Sequence, residues 1–191
     1  MPQADDADIV LYYAPRTRAF RALWFLEELG RPYRIQPVDL AKGEHKRPEF
    51  LKLNPMGKLP TVVDHGLPIA ESGAILLHLA DAYAAGALAP LPDEPKRTDY
   101  LRWLFFAVGV MEPAFGEKFF KWDIPSRRAA WGSFASMEAT VTAGLAPGPW
   151  ILGDQFTGAD VFVASNLHWG LLSDLFPKEA GHGRRKRRAT R

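Results

Sequence analysis

The sequence contains no cysteine. That absence excludes disulfides, a thiolate nucleophile on the protein, CxxC redox chemistry and cysteine-ligated zinc. Any sulfur chemistry must therefore come from a bound thiol. No apolar run approaches the ~18 residues that a membrane-crossing helix requires. The start, Met1-Pro2-Gln3-Ala4-Asp5-Asp6, lacks the basic segment and apolar core of a secretory signal, so a cytoplasmic setting is expected. Acids are missing from residues 184–191, which hold six Lys or Arg. Taking these six from the 24 basic side chains leaves 18 against 22 acids, so the body is slightly acidic and the formal charge of +2 belongs to the end. An acidic body argues against a nucleic-acid-binding surface; the tail alone would bind polyanions without specificity. What remains is ordinary globular material: 191 residues, 47% hydrophobic and 24% charged, enough for one large domain or two small ones.

Residues 9–13 form a β-branched and aromatic run that predicts a buried strand. From Thr17 the period becomes helical, with Ala19, Ala22, Leu23, Leu26 and Leu29 on one face and Arg18, Arg21 and Glu28 off it. Gly30 is a plausible stop. A second strand is expected over 33–38, where Pro37 suggests an edge or an end. A charged loop, one helical turn at 49–53 and strong turn chemistry at 54–58 lead to strands at 59–63 and 67–70. Ser72 can cap a helix running to about Tyr83. The order is β-α-β followed by β-β-α. Residues 1–85 are thus expected as an α/β domain, 86–93 as a linker, 94–177 as a helical-bundle domain and 178–191 as a disordered basic tail. Helices are expected at 94–120, 126–143 and 157–172.

Three places could carry chemistry. Glu71-Ser72 sits where a strand feeds a helix, whose free N–H groups and positive dipole end suit a carboxylate, while Glu71 suits an ammonium group. Simple capping explains the same pair. Pro60, entering a strand after a turn, is a candidate for a cis bond that would turn the Leu59 backbone toward a peptide ligand; a trans proline on an edge strand is the alternative. Thr17, at a strand-to-helix turn, could donate to a ligand thiolate or could be a plain N-cap.

Taken in order, these features resemble the cytosolic glutathione transferase superfamily, and most closely its theta-like, bacterial and fungal members. Residues 13–30 (Tyr-Ala-Pro-Arg-Thr-Arg-Ala-Phe-Arg-Ala-Leu-Trp-Phe-Leu-Glu-Glu-Leu-Gly) are similar to the family's first motif. Lys-Gly-Glu-His at 42–45, Phe-Leu-Lys-Leu-Asn-Pro-Met-Gly-Lys-Leu-Pro at 50–60 and Pro-Ile-Ala-Glu-Ser-Gly-Ala-Ile-Leu-Leu-His-Leu at 68–79 follow suit. In the helical half, Trp-Ile-Leu-Gly-Asp-Gln-Phe-Thr-Gly-Ala-Asp at 150–160 resembles the family's capping motif, with Thr157 and Asp160 at capping-box spacing.

The resemblance, which covers about residues 8–177, implies a thioredoxin-like βαβ-ββα domain followed by an all-helical domain. It implies that Glu71 and Ser72 hold the γ-glutamyl end of glutathione, that Leu59 before cis-Pro60 pairs with the cysteinyl backbone, and that His45 and Lys58 approach the glycyl carboxylate. Thr17 falls on the serine of theta-like enzymes, would steady the thiolate and ranks first; Tyr13 ranks second, standing where Tyr-type classes place theirs unless strand alternation turns it into the core, and Arg18 could supply charge instead. Threonine's methyl restricts its rotamer, and the mixed-disulfide chemistry of Cys-type classes is closed to a cysteine-free chain. The implied reaction is conjugation of glutathione to small apolar electrophiles, or their reduction by it, in a homodimer with no cofactor beyond glutathione and no metal. A stripe of Trp103, Phe106, Val110, Met111 and Phe115 is the candidate electrophile pocket, or ordinary bundle core. His65, His78, His168 and His182 lack ligand spacing and read as structural or solvated. Family members continue beyond residues 176–177 with further helices, where this sequence turns basic, so a non-catalytic binding or scaffold protein is the rival reading.

Overall fold

The computed structural model describes residues 8–176. The tail expected to be disordered, and His182 with it, lies outside the described residues. The first half contains strands β1 (Ile9–Tyr13), β2 (Arg34–Pro37), β3 (Thr61–Asp64) and β4 (Leu67–Ala70), with helices α1 (Ala19–Leu29), α2 (Pro48–Leu53) and α3 (Ser72–Tyr83). The four strands form one mixed sheet in the order β2-β1-β3-β4, β1 running parallel to β2 and antiparallel to β3. This is the thioredoxin-like arrangement. The short β2 is an edge strand that ends at Pro37, which cannot donate to a ladder. Strand alternation buries Ile9 and Leu11 beneath α1 and α3, while Tyr12 on the other face meets Phe50 of α2 edge to face. Gly30 stops α1 in the left-handed conformation (φ 66°) that a glycine adopts freely.

The second half is helical: α4 (Lys96–Phe106), α5 (Glu112–Phe120), α6 (Phe134–Leu145) and α7 (Gly158–Leu172). The expected capping box opens α7. Thr157 Oγ1 accepts from the Ala159 N–H and Asp160 Oδ2 accepts from the Thr157 N–H at 2.8 Å. Asp160 Oδ1 also takes the Ile151 N–H at 2.7 Å, which ties the preceding loop to the helix. α7 is buried on most sides and packs against α1, α3 and α4, so it runs through the junction of the two halves.

Two helices differ from the sequence expectation. The span 94–120 is not one regular helix, because a π-helical turn, Ala107–Met111, separates α4 from α5. Pro113 explains it: its ring displaces the carbonyl four residues back, and the backbone widens just before it. The span 126–143 begins only as a 3-10 turn, Ser126–Arg128. Gly132 then takes a positive φ of 77°, and Ser133 starts α6 through a reciprocal capping box with Ser136. The helical periodicity of this stretch hid a start signal placed seven residues late.

Arg21, expected off the apolar face of α1, is instead buried. Its exposed-looking side is the one that α5 and α7 cover. Its Nη2 donates to Glu112 Oε1 and to Asn166 Oδ1, both at 2.8 Å, and its guanidinium lies 4.7 Å from the centre of the Phe162 ring.

Candidate glutathione site and adjoining cleft

Strand register brings the predicted residues to one end of the sheet. Thr61 pairs with Tyr12 on one side and Ala70 on the other. One step further along each strand lie Tyr13, Pro60 and Glu71. The turn into α1 and the start of α3 leave from that same end, so Thr17, Leu59, Glu71 and Ser72 belong to one neighbourhood.

The Leu59–Pro60 peptide is cis, and neither the N–H nor the C=O of Leu59 has a hydrogen-bond partner among the described residues. Asn54 shapes this loop from beneath. Its buried Nδ2 donates to the Lys58 carbonyl at 2.9 Å and to Thr61 Oγ1 at 3.1 Å, and its Oδ1 accepts from the Met56 N–H. In sequence, Asn54 signals turn chemistry only. His45 sits in a 3-10 turn, Glu44–Lys46, pressed against the same loop. Gly57 permits the approach: at φ 59°, a Cβ there would stand 2.6 Å from the His45 carbonyl oxygen. His45 Nδ1 is buried and unpartnered, and Lys58 is exposed.

Glu71 holds an unusual backbone, φ 70° and ψ 122°. Such a conformation costs a non-glycine residue about 1–3 kcal/mol and concentrates at functional sites. Neither its side chain nor that of Ser72 caps α3, although Ser72 is a residue type that commonly does so. The Ile75 N–H returns to the Glu71 carbonyl, while those of Ser72, Gly73 and Ala74 have no partner among the described residues. Three free donors, a free hydroxyl and an outward carboxylate therefore stand at one helix start. That set matches a zwitterionic α-amino acid.

At the start of α1 the Thr17 hydroxyl is already engaged. It donates to the Ala14 carbonyl at 2.7 Å and accepts from the Ala19 N–H at 3.2 Å. The Tyr13 hydroxyl makes no bond among the described residues, and Tyr13 is half-buried at the mouth of a cleft of about 430 Å³ that Thr17 also lines. Arg18 is engaged as well. Its Nε lies 2.9 Å from both Glu112 oxygens and its Nη2 lies 2.5 Å from Oε2. Burial pushes the Glu112 carboxyl up, but hydrogen bonds and charge from Arg18 and Arg21 together bring it below its ordinary value.

The far wall of the cleft is α7, through Ser165, His168, Trp169 and Leu172, facing Phe20 of α1. The stripe expected to line it lies elsewhere. Trp103, Met111 and Phe115 are buried in the helical core, and Phe106 and Val110 pack against that core without lining this cleft. A helical stripe records burial but not which neighbour supplies it. Of the other histidines, His78 bonds to Asp64 at 2.6 Å and His65 is exposed. Among the described residues, no three His, Asp or Glu side chains gather to hold a metal ion, and no helix is long and apolar enough to cross a membrane.

Residues 8–81 match the family model for the glutathione S-transferase N-terminal domain, and residues 124–169 match that for the C-terminal domain. The chain belongs to the cytosolic glutathione transferase superfamily. Glutathione S-transferase 3 of Schizosaccharomyces pombe is 30% identical over 171 residues, 80% of this chain and 70% of that protein. The disulfide-bond oxidoreductase YfcG of Escherichia coli is 40% identical over 116 residues, 57% of this chain; the match spans about half of that relative, 53%. Among solved structures, the glutathione transferase URE2P6 of Phanerochaete chrysosporium, in complex with oxidized glutathione, superposes with a TM-score of 0.77 at 25% identity, over 91% of this chain and 84% of that one.

Proposed function

We propose that this glutathione transferase family member binds glutathione across the end of its sheet and joins the tripeptide, through its sulfur, to an electrophile in the adjoining cleft. The carrying observation is the strained entry into α3, which leaves three N–H groups and the Ser72 hydroxyl without partners beside the outward Glu71. In this reading the γ-glutamyl carboxylate takes the N–H groups and the Ser72 hydroxyl, and its ammonium takes Glu71. The cysteinyl backbone pairs with the free N–H and C=O of Leu59, and the glycyl carboxylate meets His45 and Lys58.

The thiol then lies near the turn before α1. A helix start favours an anion there. Tyr13 offers the unengaged hydroxyl, whereas Thr17 must first give up Ala14. One hydrogen bond to a charged group contributes about 1.5–3 kcal/mol. At about 1.4 kcal/mol per pKa unit, that lowers the bound thiol by roughly one to two units. The sulfur lone pair forms a C–S bond while the carbon's bond to its leaving group breaks, and the leaving group departs with that electron pair. Binding, thiolate stabilisation and proximity are the whole contribution asked of the protein.

The disulfide-bond oxidoreductase relative favours a second reaction at the same site. With no protein cysteine, the glutathione thiolate would attack a substrate disulfide, form a mixed disulfide and release one thiol. A second glutathione thiolate would then release the other thiol and leave as oxidised glutathione. We place the protein in the cytoplasm as a homodimer on the family pattern.

Spectroscopic assay of wild type with a generic aromatic halide, and separately with a small-molecule disulfide, tests the proposal. Glutathione-dependent turnover of either is expected, reduced tenfold or more in Tyr13→Phe. Retention on immobilised glutathione without turnover of either would leave a binding protein and overturn the enzymatic reading.

A further inference from the structure

The cleft beside the thiol position is not simply apolar. Three arginines, Arg16, Arg18 and Arg21, line it, and no acidic residue does among the described residues. One carboxylate, Glu112, lies behind them and is shared by Arg18 and Arg21. Three guanidiniums against one carboxylate leave two positive charges at the wall. Arg16 makes no ion pair among the described residues, is exposed, and holds a left-handed backbone (φ 58°) in the turn between β1 and α1. The Arg18 side chain is 52% exposed, and Glu112 occupies only its Nε and Nη2, leaving Nη1 open. Opposite this edge stand apolar surfaces: Phe20, the ring of Trp169 and Leu172. The Arg18 guanidinium lies 5.8 Å from the centre of the Trp169 ring, so charge and aromatic wall are adjacent.

An uncharged apolar substrate would strip water from these cations and return nothing for it. A planar molecule with an anionic edge satisfies both halves of the cleft. The residues assigned to glutathione, Leu59, Glu71, Ser72, His45 and Lys58, are not among those that line it, so its arginines are not spent on the tripeptide's carboxylates. Resting on the glutathione reading above, we propose that the second substrate is a flat aromatic molecule bearing a carboxylate, its ring between Phe20 and Trp169 and its carboxylate on Arg16 and the open edge of Arg18. A fork of N–H donors matches a carboxylate in two places at once, which a lysine would not.

Calorimetric titration of the full chain tests this. Glutathione is added first, and then 2-naphthoate or its uncharged isostere 2-naphthamide is titrated into the saturated protein. The naphthoate is expected to bind at least tenfold more tightly, to weaken as salt is raised, and to lose most of its advantage in Arg16→Gln while Arg16→Lys restores only part. Arg16 is exposed, so these variants are expected to fold; an unchanged circular dichroism spectrum checks that. Equal affinity of the two naphthalenes, or a carboxylate preference untouched by Arg16→Gln, overturns the proposal. Absence of heat in the first, glutathione, step would instead sink the functional reading beneath it.

Discussion

At the scale of the residue, two hydroxyls near the proposed sulfur position are distinguished by what they already hold. Thr17 closes its turn by bridging Ala14 and Ala19, and Tyr13 holds nothing among the described residues. We therefore expect Tyr13→Phe to raise the pKa of bound glutathione by roughly one to two units, the equivalent of one charged hydrogen bond. Thr17→Ala should mainly loosen the turn, with a smaller shift of the thiol and a loss of about 1 kcal/mol in stability. Ultraviolet titration of the thiolate in each variant measures the first, and urea denaturation the second. Sequence could name both residues because both sit at the end of a strand feeding a helix. The resemblance to theta-like enzymes ranks Thr17 first and Tyr13 second; the physical order depends instead on where one hydroxyl proton points, and Thr17 already spends its own on the Ala14 carbonyl. Arg21 and Glu112 were illegible for a similar reason: they meet across 91 residues, and nothing local announces the pair, whereas Asn54 was legible as turn chemistry but not as the support of the Lys58 carbonyl.

At the scale of the element, the start of α3 carries the most information. Its left-handed entry at Glu71 costs about 1–3 kcal/mol, which a glycine would not incur. Glu71→Gly is thus expected to be as stable as wild type or more stable, by about 1 kcal/mol, while binding glutathione at least tenfold more weakly. Paired thermal unfolding and calorimetry give both numbers, and a variant weaker in both would mean that the carboxylate serves the fold. The start of α7 shows the opposite case, a cap used for stability. Asp160 there accepts from Thr157 and from Ile151 while buried, so Asp160→Ala should destabilise the protein by about 2–3 kcal/mol, read from the shift in denaturation midpoint. Both starts were legible in sequence, as Glu71-Ser72 and as Thr157 with Asp160. The π-helical turn was not, although Pro113 marks it: one extra residue turns the following ones by about 100° relative to a regular helix, and periodicity alone does not reveal such a step.

At the scale of the whole molecule, the two halves are joined through charge as well as apolar packing. Glu112, the first residue after the π-helical turn, meets Arg18 and Arg21 of the sheet domain, and Asn166 links Arg21 to the Ala107 carbonyl. Removing the carboxylate leaves buried Arg21 without a counter-charge, and Glu112→Ala is expected to cost about 3 kcal/mol. Because the folded carboxyl titrates below its ordinary value of 4.5, its contribution is present above that pH and is lost as the pH falls through the lower, folded value. Acid denaturation should therefore be steeper in wild type than in Glu112→Gln. The domain order, the mixed sheet and the family were readable from ordered motifs, whereas the wall of the cleft was not, because only the packed structure sets α7 against α1. The central claim is that glutathione docks at the end of the sheet with its γ-glutamyl carboxylate on the start of α3. Calorimetric titration of glutathione into wild type and Ser72→Ala tests it most directly. The account predicts binding at or below millimolar concentrations, weakened tenfold or more by the substitution. No heat at millimolar glutathione, or equal affinity in the two proteins, would contradict it.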